Sequence, residues 1–248
     1  MGTRRVACHR RGINARHPRQ YYRPEWGGAG VKDAGTTRDF VVRAGVAELP
    51  GMMTVPPSAA GMVLFAHGSG SGRHSPRNQY VARVLHQAGI GTLLFDLLTP
   101  AEAEDRSNVF DIGLLSERLL LAARQVSASP HTAGLPLGLF GASTGAAAAL
   151  AAAAQEPLVG AVVSRGGRPD LAGAWIMRVP APTLLIVGAL DRQVLELNRR
   201  ALEELRCVKR LAVVPGASHL FEEPGTLEQA AGLARDWFVE HLARGRAC

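Results

Sequence analysis

The stretch Leu135-Pro-Leu-Gly-Leu-Phe140-Gly141-Ala142-Ser143-Thr144-Gly145, which runs straight into the alanine-rich Ala146–Gln155, decides the fold. Its first six residues make a short apolar run of the length of a buried strand. Thr144–Gln155 has the composition of a closely packed helix. A strand that turns sharply into a helix strains the backbone at the turn, and residues without a Cβ on either side let the chain close around it. Such a junction lifts the Ser143 hydroxyl out of a sheet and points the free N–H groups of the helix start into the space above it. Gly141-Ala-Ser143-Thr-Gly145 therefore reads as a G-x-S-x-G nucleophile elbow in the strand–turn–helix context that this motif requires.

Working outward, the same alternation continues on both sides. Upstream, Phe40–Val46 and Met53–Pro56 read as a short antiparallel start. Gly61–Ala66 is an apolar strand ending at His67-Gly68, and Asn78–Ala88 is a helix stopped by Gly89. Gly91–Phe95 is a strand ending at Asp96, and residues 112–127 have helical spacing. Downstream come strands Leu158–Ser164, Thr183–Val187 and Arg210–Val214, with helices Val194–Leu205 and Thr226–Leu242. This pattern predicts an α/β fold, a mostly parallel β-sheet with helices on both faces. Chemistry in such sheets sits at the carboxyl ends of the strands, here His67, Asp96, Ser143, Ser164, Asp191 and His219. About 18 residues separate Ser164 from Thr183, too few for a large lid domain there, so an open cleft for small substrates is expected.

A serine hydroxyl is a weak nucleophile until a base takes its proton. His219, in Pro215-Gly-Ala-Ser-His219-Leu-Phe221, follows a strand and is the candidate base. Asp191, at the end of Leu184-Leu-Ile-Val-Gly-Ala-Leu-Asp191, is the candidate that fixes the imidazole tautomer. Its other reading is an N-cap of the helix that follows. Asp96 and Asp170 are the rival carboxylates. An oxyanion hole needs two backbone donors. Thr144 N–H supplies one, and the loop His67-Gly-Ser-Gly-Ser-Gly72 supplies the other, with Ser69 preferred over Gly70.

On these pieces the body of the chain, residues 36–245, resembles the α/β-hydrolase superfamily and, within it, the small dienelactone-hydrolase-like serine hydrolases. The resemblance rests on His67-Gly68 after a strand, Gly-Ala-Ser143-Thr-Gly, Gly-Ala-Leu-Asp191 and Gly-Ala-Ser-His219, in that order. It implies hydrolysis of an ester-like bond, of carboxylesterase or lactonase type, through an acyl-serine and without a cofactor. Dienelactone hydrolases proper carry a cysteine where this chain has Ser143. Thioesterase and peptidase chemistry use the same triad, and a hydrolase-fold protein that only binds a ligand is the non-catalytic alternative.

Composition narrows the remaining classes. The chain has 248 residues, 47% hydrophobic and 20% charged, as a globular protein has. Aromatics at 5% argue against a base-stacking reader of single strands. The net charge is +7, but +6 of it falls in residues 1–35, where eight basic residues face only Glu25 and Asp33. Residues 1–35 are thus expected to be a loosely attached basic tail and 36–248 the catalytic domain. The tail reads first as a solvated extension or an upstream start-site choice, and nucleic acid is not expected as a partner except through it. Cys8, Cys207 and Cys248 have no paired spacing, which favours a reducing compartment such as the cytoplasm. No metal-ligand spacing and no run of about 18 apolar residues occurs, so neither a metal nor a membrane span is expected. Gly68–Gly72 fails the phosphate-loop patterns. Arg73, His74, Arg77, Arg165 and Arg168 follow strand ends, and are candidates to hold an anionic part of the substrate because guanidinium forks match carboxylates. The competing explanation is ordinary surface pairing in a chain whose cations are nearly all arginine.

Overall fold

Four strands are buried at every position: β3 (Gly61–Ala66), β4 (Ile90–Phe95), β5 (Leu137–Ala142) and β7 (Thr183–Gly188). Continuous apolar runs of this kind form strands covered on both faces. The structure, a computed structural model, describes residues 35–243. With β1 (Thr36–Ala44), β2 (Ala47–Val55), β6 (Val159–Arg165) and β8 (Lys209–Val214) they make an eight-stranded sheet in the order β1-β2-β4-β3-β5-β6-β7-β8. The β1–β2 and β2–β4 pairs are antiparallel and every other pair is parallel. The expectation of a mostly parallel sheet is borne out.

Strand pleating sends alternate side chains to opposite faces. Met62, Leu64 and Ala66 of β3 join one core. There they meet Leu115, Leu119 and Val126 of α4 (Ile112–Ala128) and the alanines of α5 (Thr144–Ala153). Val63 and Phe65 join the other, with Val81 and Leu85 of α1 (Pro76–Gln87) and Ala231, Ala234 and Phe238 of α7 (Thr226–Ala243). All ten residues of α5 are buried. Small side chains suit a helix pressed between sheet and neighbouring helices, because alanine loses no side-chain entropy on burial. A further helix, α6 (Arg192–Glu204), packs its apolar stripe beside β7.

The chain also forms elements that periodicity did not reveal. Pro100–Glu104 is a short helix α2, Arg106–Phe110 a short helix α3, and Pro169–Arg178 a 3-10 segment between β6 and β7. No separate lid domain is built from that last segment, as expected from its length. For α2 the signal was present in Thr99-Pro-Ala-Glu102, which forms a reciprocal capping box with proline at its first turn. Among the described residues no helix is long and apolar enough to cross a membrane. The reading of residues 1–35 as a tail falls, except for Gly35, outside the described residues.

Candidate active site

Ser143 sits at the β5–α5 junction with φ 52° and ψ −121°, a left-handed conformation that a residue with a Cβ adopts only under constraint. The constraint is visible on all sides. Ser143 N–H donates to Arg165 O (3.3 Å), and Ser143 O accepts from Ala146 N–H and Arg168 N–H (3.1 Å each). The flanking glycines are needed for contact. A Cβ on Gly145 would overlap the Ala66 and His67 carbonyls, and one on Gly141 would overlap the backbone of Ala146. A Cβ on Gly68 would fall 2.9 Å from Ser143 Cβ, so the loop after β3 lies directly against the serine.

Asp191 and His219 are brought together from the ends of β7 and β8. His219 Nδ1 donates to Asp191 Oδ2 at 2.6 Å, with Asp191 15% and His219 39% exposed at the side chain. Asp191 stands at the N-cap of α6 but makes no side-chain cap bond there. The cap reading therefore fails, because the carboxylate is turned to the imidazole. The His219 turn is fixed by backbone bonds from Ala189 N–H to Val214 O and Leu190 N–H to Ala217 O. It is also clamped by Glu223, whose carboxylate accepts Ser218 N–H at 3.0 Å. Bonds from Ser218 hold the Glu223 carboxyl below the usual carboxylate range. Glu223 was not picked out from sequence, since an acid four residues past a histidine carries no readable signal. Gly166, with φ 53°, carries β6 past this turn closely enough that a Cβ would lie 3.2 Å from His219 O. Ser143, Arg165–Gly166 and His219 thus share one corner. The hydrogen bonds among the described residues include the Asp191–His219 pair but not one from Ser143 Oγ to His219. Such bonds commonly tighten only with substrate bound.

The rival carboxylates are committed elsewhere. Asp96 accepts Arg73 N–H at 2.7 Å and is ion-paired with the Arg73 guanidinium. Asp170 holds Arg168 through two bonds of 2.8 and 2.7 Å.

Ser69 and Thr144 are neighbours, and Ser69 N–H donates to Thr144 Oγ1 at 3.1 Å. One expected oxyanion donor is therefore held by the side chain of the residue that supplies the other. Turning Thr144 about χ1 would release it. His67 anchors this loop. Leu97 N–H donates to its Nε2 (3.1 Å), so the proton sits on Nδ1 and is shared with Gly68 O (3.0 Å). Burial lowers the His67 pKa from its ordinary value, which suits the neutral tautomer.

The residues proposed to hold an anion are dispersed. Arg73 and Arg168 are ion-paired as described, and His74 is exposed. Arg165 is 7% exposed, packed between the Phe140 and Phe221 rings and bonded to Asn78 Oδ1 at 3.3 Å. Burial, with Arg77 nearby, pulls its guanidinium down to about 9. Beside Ser69 and Thr144 opens a cavity of about 450 Å3 that extends under α2 and α3.

No protein-family model matches the chain. Two Mycobacterium tuberculosis proteins, of strains CDC 1551 and H37Rv, each named "Putative phosphoribosyl transferase", are 61% identical to it over 202 residues. Those residues are 81% of this chain but 46% of each relative, so the chain spans about half the length of the curated relatives it matches. An α/β serine hydrolase without lid from Xanthomonas campestris has the same fold, with a TM-score of 0.69 at 23% identity over 83% of this chain and 95% of that one. A dienelactone hydrolase from Anabaena variabilis superposes with a TM-score of 0.82 at 53% identity, over 84% of this chain and 99% of that one. With that level of identity along the whole of a solved relative, the chain belongs to the dienelactone-hydrolase-like group of the α/β-hydrolase superfamily.

Proposed function

We propose that the chain is a serine hydrolase that cleaves an ester-type bond through an acyl intermediate on Ser143. The observation that carries this reading is the 2.6 Å Asp191–His219 pair, held at strand ends beside a serine strained into the elbow conformation. His219 Nε2 takes the Ser143 proton as Oγ attacks the carbonyl carbon, and the imidazolium gives that proton to the departing alcohol. Water then attacks the acyl-serine, losing a proton to His219, and the carboxylic acid and free Ser143 are regenerated. Asp191 keeps the proton on Nδ1 and stabilises the imidazolium. Thr144 N–H and Ser69 N–H receive the oxyanion, the latter once Thr144 Oγ1 gives it up. The name carried by the mycobacterial relatives belongs, on this reading, to the part of those proteins that this chain does not span. In the loop after β3, Gly68 lies against Ser143 Cβ and Gly72 against Asp96 Oδ1, a carboxylate that would repel a phosphate, which supports that division.

The test is labelling with a fluorophosphonate serine probe, followed by ester turnover. Labelling and turnover that both vanish in Ser143→Ala are expected. Labelling of the folded wild type that survives in Ser143→Ala, or none at all, would overturn the assignment and favour a protein that only binds.

A further inference from the structure

The cavity beside the elbow has a definite chemistry and a definite side. Its floor and walls are apolar: Leu97, Leu98, Val109 and Leu115 among them. Its roof is α2 and α3, and that roof is built rigidly. Glu102 closes the capping box on Thr99 N–H (2.8 Å) and is ion-paired with Arg118 at 2.8 Å, while Arg118 also donates to Ala44 O (3.0 Å). Asn108 Nδ2 donates to Glu102 O (2.9 Å), tying α3 to α2. The roof is therefore pinned to α4 and to β1 rather than hanging free.

The side follows from what lines the cavity. It is bounded by Pro50 of β2, the loop after β3, the segment after β4, α2, α3, α4 and the start of α5. No residue of the His219 turn and none of Arg165–Arg168 contributes to it. His219 must reach the leaving oxygen to protonate it, so the leaving group departs on the His219 side. The part of the substrate that remains on Ser143 faces the other way, into the cavity.

The only ionic groups in the lining are Arg73 and Asp96, and they neutralise each other. Asp96 is held twice, by the Arg73 guanidinium and by Arg73 N–H, so an incoming carboxylate would meet a committed cation with an anion already on it. We infer that this cavity is the acyl pocket and that it selects neutral apolar acyl groups of medium length over acetyl and over acyl groups ending in a carboxylate. The inference rests on the Ser143 reading above and narrows its substrate class.

A series of p-nitrophenyl esters tests it: acetate, butyrate, hexanoate, octanoate and the adipate half-ester, with wild type and Ala103→Trp. Ala103 lines the cavity from α2 yet is exposed, so a larger side chain there fills space without entering the core. Val109→Phe, from α3, serves as the second variant. In wild type, kcat/KM rises by up to about fourfold per methylene that enters the cavity, and the adipate half-ester lags hexanoate by at least about tenfold, the factor by which a polar or charged group loses against an apolar one in such a pocket. In Ala103→Trp the hexanoate-to-acetate ratio falls by about tenfold or more. Preference among hexanoyl esters of different alcohols stays as it was. An unchanged hexanoate-to-acetate ratio in both variants, or equal cleavage of the adipate half-ester, would overturn the acyl-pocket inference while leaving the serine chemistry intact. Loss of every ester together with Ser143 labelling in wild type would remove both.

Discussion

Replacing Asp191 by asparagine tests the centre of the site most directly. The change is nearly isosteric and leaves α6 uncapped by that side chain, as it already is. Two things are lost. In the proposed mechanism His219 carries a positive charge in the transition state, and a carboxylate with its charge centre about 4 Å away contributes about 4 kcal/mol at an effective dielectric of 20. That corresponds to about a thousandfold in rate. The 39% exposure of His219 screens part of this. The asparagine amide offsets the screening, since its NH2 facing Nδ1 would force the proton to Nε2 and disable the base. The expected result is a fall in kcat of about a thousandfold, with KM nearly unchanged and thermal unfolding within a few degrees of wild type. Steady-state hydrolysis of a p-nitrophenyl ester, with the rate of fluorophosphonate labelling in parallel, reads it. Asp170→Asn, which breaks only the pair with Arg168, should stay within about threefold of wild type, the range expected for losing an exposed ion pair. Asp191→Asn within about tenfold of wild type would refute the argument and turn attention to Asp96.

Two further outcomes concern the frame of the site. Gly145→Ala forces a methyl against the Ala66 and His67 carbonyls, backbone atoms that cannot rotate away, and should destabilise by about 3 kcal/mol; urea unfolding measures it, and a loss near zero would mean that the junction is looser than described. His86, half-buried on α1 and hydrogen-bonded to Thr92 Oγ1 at 2.8 Å, has its pKa lowered from 6.5 to about 4 by desolvation and then by Arg83. Since the folded state resists protonation, stability is full above pH 6.5 and falls as the pH drops toward 4. The contribution is at most about 3 kcal/mol, and about 2 kcal/mol once partial exposure is allowed for. His86→Gln keeps a hydrogen-bonding group without the titration, so its stability should decline less steeply over that window; identical slopes in urea unfolding between pH 7 and 4 would count against this origin.

Much of the molecule was legible in the order of its residues. Local rules suffice for Leu135–Gln155: an apolar run, a glycine two residues to each side of Ser143 and an alanine helix leave few conformations other than strand, tight turn and buried helix. Repetition of such units around it determined the parallel sheet, and the carboxyl-end rule then placed Ser143, Asp191 and His219 among a handful of candidates. Among the carboxylates, chain order favoured Asp191 but could not exclude its rivals by contact. Asp96, Asp170 and Asp191 all follow strands, and only folding brings the ends of β7 and β8 together at 2.6 Å while giving the other two to arginines. The arginines illustrate the same limit, because charge and chain position say nothing about burial. Arg165 lies inside, between two rings, while Arg73 is neutralised by Asp96. The acyl cavity was invisible for a related reason. Its lining comes from seven separate segments, two of them the five-residue roof helices too short to show a period. Sequence determined the elements and the chemistry available at their ends, since these depend on neighbours along the chain. Which of those groups meet, and what space they enclose, depends on neighbours across the fold, and only the tertiary structure decided it.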